Sequence, residues 1–134
     1  MKLSLATFLV MLPLAAVAED DKIDCTDPQV QIELNYCAEQ SFLAADAELN
    51  DIYKAAMAAM KEIDGYLPED QRGAAAALKT AQRNWIPYRD DACQAEGYLV
   101  SGGSMLGLVI NECLERLTRQ RIGDLTILVE GMGN

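Results

Sequence analysis

The stretch CTDPQVQIELNYC, Cys25 to Cys37, decides how the chain is put together, because two readings of it exclude each other. Thr26 or Asp27 suits a helix N-cap, and Pro28 suits the first helical position, where a missing amide costs nothing. Val30, Leu34 and Cys37 then open an apolar stripe spaced by three and four. If the helix starts at Pro28, Cys37 lies nine residues inside it, about 13 Å along the axis. A disulfide needs its α-carbons within about 7 Å. A helix from Pro28 therefore forbids a local Cys25–Cys37 bridge.

Outward from this stretch the stripe continues through Ala45, Leu49, Ile52, Ala56, Met60 and Ile63, with only Ser41 interrupting. This is one helix of about 35 residues, some 50 Å long, with room for a break near Ser41 or Ile63. Glycine and proline in DGYLPEDQRG, Asp64 to Gly73, stop it. A second helix begins near Gly73 on the high-propensity run AAAA. Its stripe is Leu78, Ala81, Trp85, Tyr88 and Ala92, Pro87 predicts a kink, and its end falls near Glu96 or Gly97. In EGYLVSGGS, Gly102 and Gly103 permit a turn and Ser104 suits the cap of a third helix carrying Leu106, Ile110, Cys113, Leu117, Leu125 and Leu128. No alternating β-branched run and no hairpin turn follows Ala18. The fold class is all-α, a small antiparallel three-helix bundle stapled by two disulfides.

In an up-down-up bundle the start of the first helix shares an end with the finish of the second. That places Cys93 level with Cys25 and Cys113 level with Cys37, favouring the pairs Cys25–Cys93 and Cys37–Cys113. The neighbour pairing, Cys25–Cys37 with Cys93–Cys113, holds instead if the first helix starts a few residues later. Disulfides fit an exported chain. The opening MKLSLATFLVMLPLAAVAED has a positive n-region, a short apolar core and the small-residue pattern Ala16-Val17-Ala18, so it reads as a secretory signal peptide cleaved after Ala18. Residues 19–134 then form one domain, periplasmic or secreted, with no membrane anchor after cleavage.

The formal charge is −10; loss of Lys2 with the signal leaves 10 basic against 21 acidic residues, or −11. Nucleic acid and anionic lipid are disfavoured partners, and a basic protein is favoured. There is no histidine and no C-x-x-C spacing. No metal site and no cofactor are therefore expected. Adjacent acids such as Glu69-Asp70 and Asp90-Asp91 point apart on a helix, and neither G-x-S-x-G nor a P-loop occurs, so the reading is a non-enzyme with no catalytic residue.

Some polar residues fall where the stripes want apolar ones. Asp46 on the first helix, Gln82 on the second and Arg121 on the third lie at similar heights, which predicts an Asp46–Arg121 pair completed by Gln82, Asn50 or Thr118. Arg89 poses the same problem, with Glu33 or Glu112 at its level. Trp85 and Tyr88 read as core, and Asp90 and Asp91 as solvent-facing.

These residues carry a resemblance. Cys25, Asn35-x-Cys37-Ala38, Asp46-x-x-Leu49-Asn50-x-x-Tyr53, Leu78, Gln82-x-x-Trp85, Tyr88-Arg89-Asp90-x-x-Cys93, Gly103-Ser104, Cys113 and Thr118-x-x-Arg121 together resemble the lysozyme inhibitor LprI-like domain family of bacterial exported proteins. Pro87 departs from that pattern. The resemblance implies a small helical envelope protein and, for some members, inhibition of lysozyme. It points to a protein partner such as a basic lysozyme. An inhibitor of that kind needs a rigid protrusion for the partner's cleft, and two loops are candidates. One is Tyr98 to Ser104, with Tyr98, Ser101, Gly102, Gly103 and Ser104; the other is Gly65 to Gln71, with Tyr66, Glu69 and Asp70. The alternative is an envelope interaction module whose protein partner is not lysozyme.

Overall fold

The computed structural model describes residues 23–131. Residues 1–22, which include the expected signal peptide 1–18, and residues 132–134 lie outside the described residues. Among the described residues three helices make up the fold: α1 (Gln31–Tyr66), α2 (Ala74–Gly97) and α3 (Leu106–Glu130), with one-turn 3-10 segments at Glu69–Gln71 and Tyr98–Val100. They run up, down and up, and α3 packs most extensively on α1. The bundle is all-α, as the apolar periodicity requires. Helix α1 is continuous past Ser41 and Ile63, and α2 runs unbroken through Pro87.

Helix α1 starts later than Pro28. Val30 is extended, at φ −122° and ψ 156°. The Glu33 carboxylate reaches back to accept the amides of Gln29 at 2.8 Å and Val30 at 3.3 Å, the reach-back half of a capping box. The helix ends before Pro68, whose ring disfavours helical backbone at Leu67. The core gathers Leu49, Ala56, Met60, Leu78 and Leu125, with Ile52, Trp85, Ile122 and Leu128 packed around them. Ala38, Ala45 and Ala56 are buried on the inner face of α1, where small side chains allow close helix packing.

The level-matched cysteine pairing is overturned. The bridges are Cys25–Cys37 and Cys93–Cys113, with α-carbons 5.5 Å and 5.4 Å apart. Two physical facts explain the change. First, the Asp24 carboxylate accepts both the amide and the hydroxyl of Thr26, forming a turn ahead of α1. Residues before Gln31 can then fold back beside the first two helical turns, which brings Cys25 to Cys37. Second, the end of α2 is not flush with the start of α1. A β-carbon on Gly97 would come within 2.8 Å of Ile110, and one on Gly107 within 3.5 Å of Asn35. The α2–α3 junction therefore sits beside the second turn of α1. Cys93 faces Cys113 rather than Cys25. Loops of these lengths contribute about 3 kcal/mol each in the chain-entropy picture.

No described helix is long and apolar enough to cross a membrane.

Candidate functional site

Helix α2 turns a polar stripe inward: Gln82 and Arg89 are buried along with Leu78 and Cys93. Arg89 is the hub. Its Nη1 donates to Asp46 Oδ1 at 2.8 Å and to Thr118 Oγ1 at 3.3 Å, and its Nε donates to Asp90 Oδ1 at 2.9 Å. The guanidinium carbon lies 5.1 Å from the Phe42 ring centre and 5.2 Å from the Trp85 ring centre, within cation–π range. The expected Asp46–Arg121 pair is thus corrected: Asp46 meets Arg89, while Arg121 Nε donates to Gln82 Oε1 at 3.0 Å, with Asp124 at 3.8 Å. The cause is again the α2 register, which lifts Arg89 to the height of Asp46. Glu33 and Glu112 are not partners of Arg89; Glu33 caps α1. Asn50 is exposed. Tyr88 is 62 % exposed rather than core, and Asp90 is an ion-pair partner as well as half solvated. Among the described residues no buried side-chain nitrogen or oxygen lacks a hydrogen-bond partner. Saturated this way, the network fixes helix register.

The Tyr98–Ser104 loop is held at its base from three sides. Cys93–Cys113 closes it below. Gly97 lets α2 approach Ile110 closely. Asn35, on α1, donates its Nδ2 to the Ser104 carbonyl at 3.0 Å and accepts the Leu108 amide on its Oδ1 at 3.1 Å, while Gln31 steadies it with a 2.9 Å bond. Asn35 thus satisfies one of the open amides in the first turn of α3 from a neighbouring helix. Ser104 does not cap α3: the cap position is Met105, with no side-chain cap bond. Gly102 takes φ +80° at the turn, a conformation favouring glycine. On the 3-10 turn that opens the loop, Tyr98 is 78 % and Leu99 84 % exposed. Beneath them lies a concavity of about 170 Å³ lined by Gln94, Gly97, Tyr98, Ser101 and Leu106. Glu96 and Arg116 form an ion pair between α2 and α3.

Antiparallel topology puts the other candidate loop at the far end of the bundle. Tyr66 is 81 % exposed there, with Glu69 and Asp70 also exposed on the 3-10 turn. Asp64, which the sequence reading passed over, organises this corner. Its carboxylate accepts the amides of Gly73, Ala74 and Ala75 at 2.8, 2.8 and 3.1 Å, capping α2 from the end of α1. Those amides, Gly73 first, hold its pKa below the ordinary carboxylate value. A cap nine to eleven residues upstream leaves no local sequence pattern.

Charge separates the two ends. Segments 24–48 and 86–119, gathered around the Tyr98 loop, hold eleven carboxylates and three guanidinium groups. Segments 49–85 and 120–131 hold seven carboxylates and six basic groups. No cluster of three or more histidine, cysteine, aspartate or glutamate side chains suited to a metal occurs among the described residues.

Comparison with known proteins adds the family. The profile described as "Lysozyme inhibitor LprI" matches residues 24–125. An uncharacterised protein of Rhizobium meliloti is 43 % identical over 122 residues, covering 89 % of this chain and 88 % of its own. No solved structure matches. The matched span begins one residue before Cys25 and ends at buried Leu125, so it takes in both disulfides, the Arg89 hub and the clamped loop. The chain belongs to the lysozyme inhibitor LprI family.

Proposed function

We propose that this protein is an exported, acidic binding protein that inhibits a basic lysozyme-type glycosidase and has no catalytic residue of its own. The supporting observation is the Tyr98–Ser104 loop, which exposes two large apolar side chains, is clamped at its base and is set in the more acidic half of the described residues. Clamping lowers the ordering cost of binding. Tyr98 and Leu99 each stand to gain about 2 kcal/mol if fully covered by a partner, and the surrounding carboxylates would speed encounter with a cationic enzyme. The working form is residues 19–134, released by cleavage after Ala18, and N-terminal sequencing of exported protein should begin at Glu19.

The test is residual lysozyme activity at stoichiometric, micromolar protein, with co-elution on gel filtration. Inhibition should weaken roughly tenfold or more when Tyr98 and Leu99 are both changed to alanine. Unchanged lysozyme activity with the wild-type protein present would remove the reading.

A further inference from the structure

The α1–α2 seam at the end away from the Tyr98 loop holds an open groove of about 600 Å³ lined by Tyr53, Lys54, Met57, Lys61 and Lys79, with Ala75 and Ala76 on its α2 wall. Three cations around one groove are unexpected in a chain of net charge −10. Arg89, Arg116, Arg119 and Arg121 all face carboxylates within the fold. Lys61 and Lys79 make no ion pair with a described residue. Lys54 pairs only with Asp51, at 3.0 Å, both side chains at least three-quarters exposed; such pairs contribute little and open readily. Lys54 and Lys61 are seven residues apart on one face of α1, about 10 Å along the axis. Between them lies Met57, a side chain that adapts to apolar groups of varied shape. The alanine run 74–77 keeps the opposite wall low.

We propose that this groove binds a short acidic peptide segment, presenting carboxylates three residues apart on one face of a polyproline II backbone, about 9 Å, with apolar side chains between them. The carboxylates meet Lys54 and Lys61, Lys79 closes from α2, and the apolar side chains rest on Met57 and Tyr53. A short segment meets the local positive field. A long polyanion or an anionic bilayer also meets the negative field of the remaining surface, which repels it.

The test uses the full mature chain and a fluorescein-labelled, end-blocked Asp-Leu-Leu-Asp peptide, read by fluorescence anisotropy, with Asn-Leu-Leu-Asn and phosphatidylglycerol vesicles as controls. Saturable binding at sub-millimolar concentration is expected, at least tenfold weaker in the Lys61→Glu/Lys79→Glu double variant and in Ala76→Phe, which fills the groove. All three positions are exposed, and circular dichroism checks that the variants keep the wild-type fold. Equal binding by the double variant, equal binding of the neutral peptide, or stronger binding to the vesicles than to the peptide overturns the proposal. The assay contains no lysozyme, so this proposal and the inhibitor reading fail separately.

Discussion

Two single side chains tie helices together, by opposite means. Arg89 works from inside, its side chain only 9 % exposed, while Asp46 and Asp90 keep contact with water. Removing the arginine breaks three hydrogen bonds and two ring contacts. Because both carboxylates can be resolvated, the cost falls below that of a fully buried pair, and Arg89→Ala should lose about 2 kcal/mol in urea unfolding. Asp46→Ala should lose less, about 1 kcal/mol, since Arg89 retains Asp90 and Thr118. Arg89→Lys should not restore the wild-type value, because an ammonium group cannot reproduce the planar fork stacked between Phe42 and Trp85. Asp64 works from the surface, as an anion among three amides. Its depressed pKa sets the sign of the pH effect: the stabilisation is fully present above the ordinary carboxylate value, near ~4, and is lost as pH falls below it toward the folded value. Melting temperature in wild type should therefore fall more steeply below pH ~4 than in Asp64→Asn, which starts lower and has no such proton to take up. Neither residue's role was legible locally. The apolar stripe of α2 selects Ala81 and Tyr88, yet the fold buries Gln82 and Arg89, one residue and about 100° further round. Hydrophobic spacing marked Gln82 and Arg89 as polar residues out of place, but it could not show that the buried face itself is polar, and it gave Arg89 the wrong partners, Glu33 or Glu112.

At the scale of elements, the helices were readable and their offsets were not. Stripes and breakers located all three helices, because burial periodicity and glycine or proline stops are local properties. The relative slide of α2 is set by contacts distant in sequence: Gly97 against Ile110 and Asn35 against Ser104 and Leu108. Assuming flush ends moved Cys93 and Arg89 by more than two helical turns, and the disulfides and the ion pair went wrong together. Non-reducing peptide mapping should therefore link Cys25 with Cys37 and Cys93 with Cys113. Replacing Cys93 and Cys113 together by alanine should lower stability by about 3 kcal/mol. Asn35→Ala tests the clamp at a finer grain. It strips partners from the Ser104 carbonyl and the Leu108 amide, at about 1–2 kcal/mol. Hydrogen exchange should speed at Leu108 and through the Tyr98–Ser104 loop, while the far end around Asp64 keeps its protection. Faster exchange spread evenly over all three helices would mean that Asn35 supports the bundle as a whole rather than the loop.

For the whole molecule, the uneven distribution of charge matters more than its total. Composition gave the acidity, but its concentration at the loop end emerges only when the helix order folds segments 24–48 and 86–119 together. If a basic glycosidase docks there, its approach is steered over distances comparable with the Debye length, about 10 Å at 0.1 M salt. The association rate should then fall about tenfold between 25 and 250 mM sodium chloride while dissociation changes little. Placement can be read independently of affinity. Glu39 and Asp91 are exposed at the acidic end, and Glu69 and Asp70 are exposed at the other. Glu39→Lys/Asp91→Lys and Glu69→Lys/Asp70→Lys make the same change in net charge, so any difference between them reports where the partner arrives. Stopped-flow association with a basic lysozyme should slow several-fold more for the first pair than for the second. Equal slowing would mean that net charge alone governs encounter, and greater slowing by the second pair would move the docking face to the Tyr66 end.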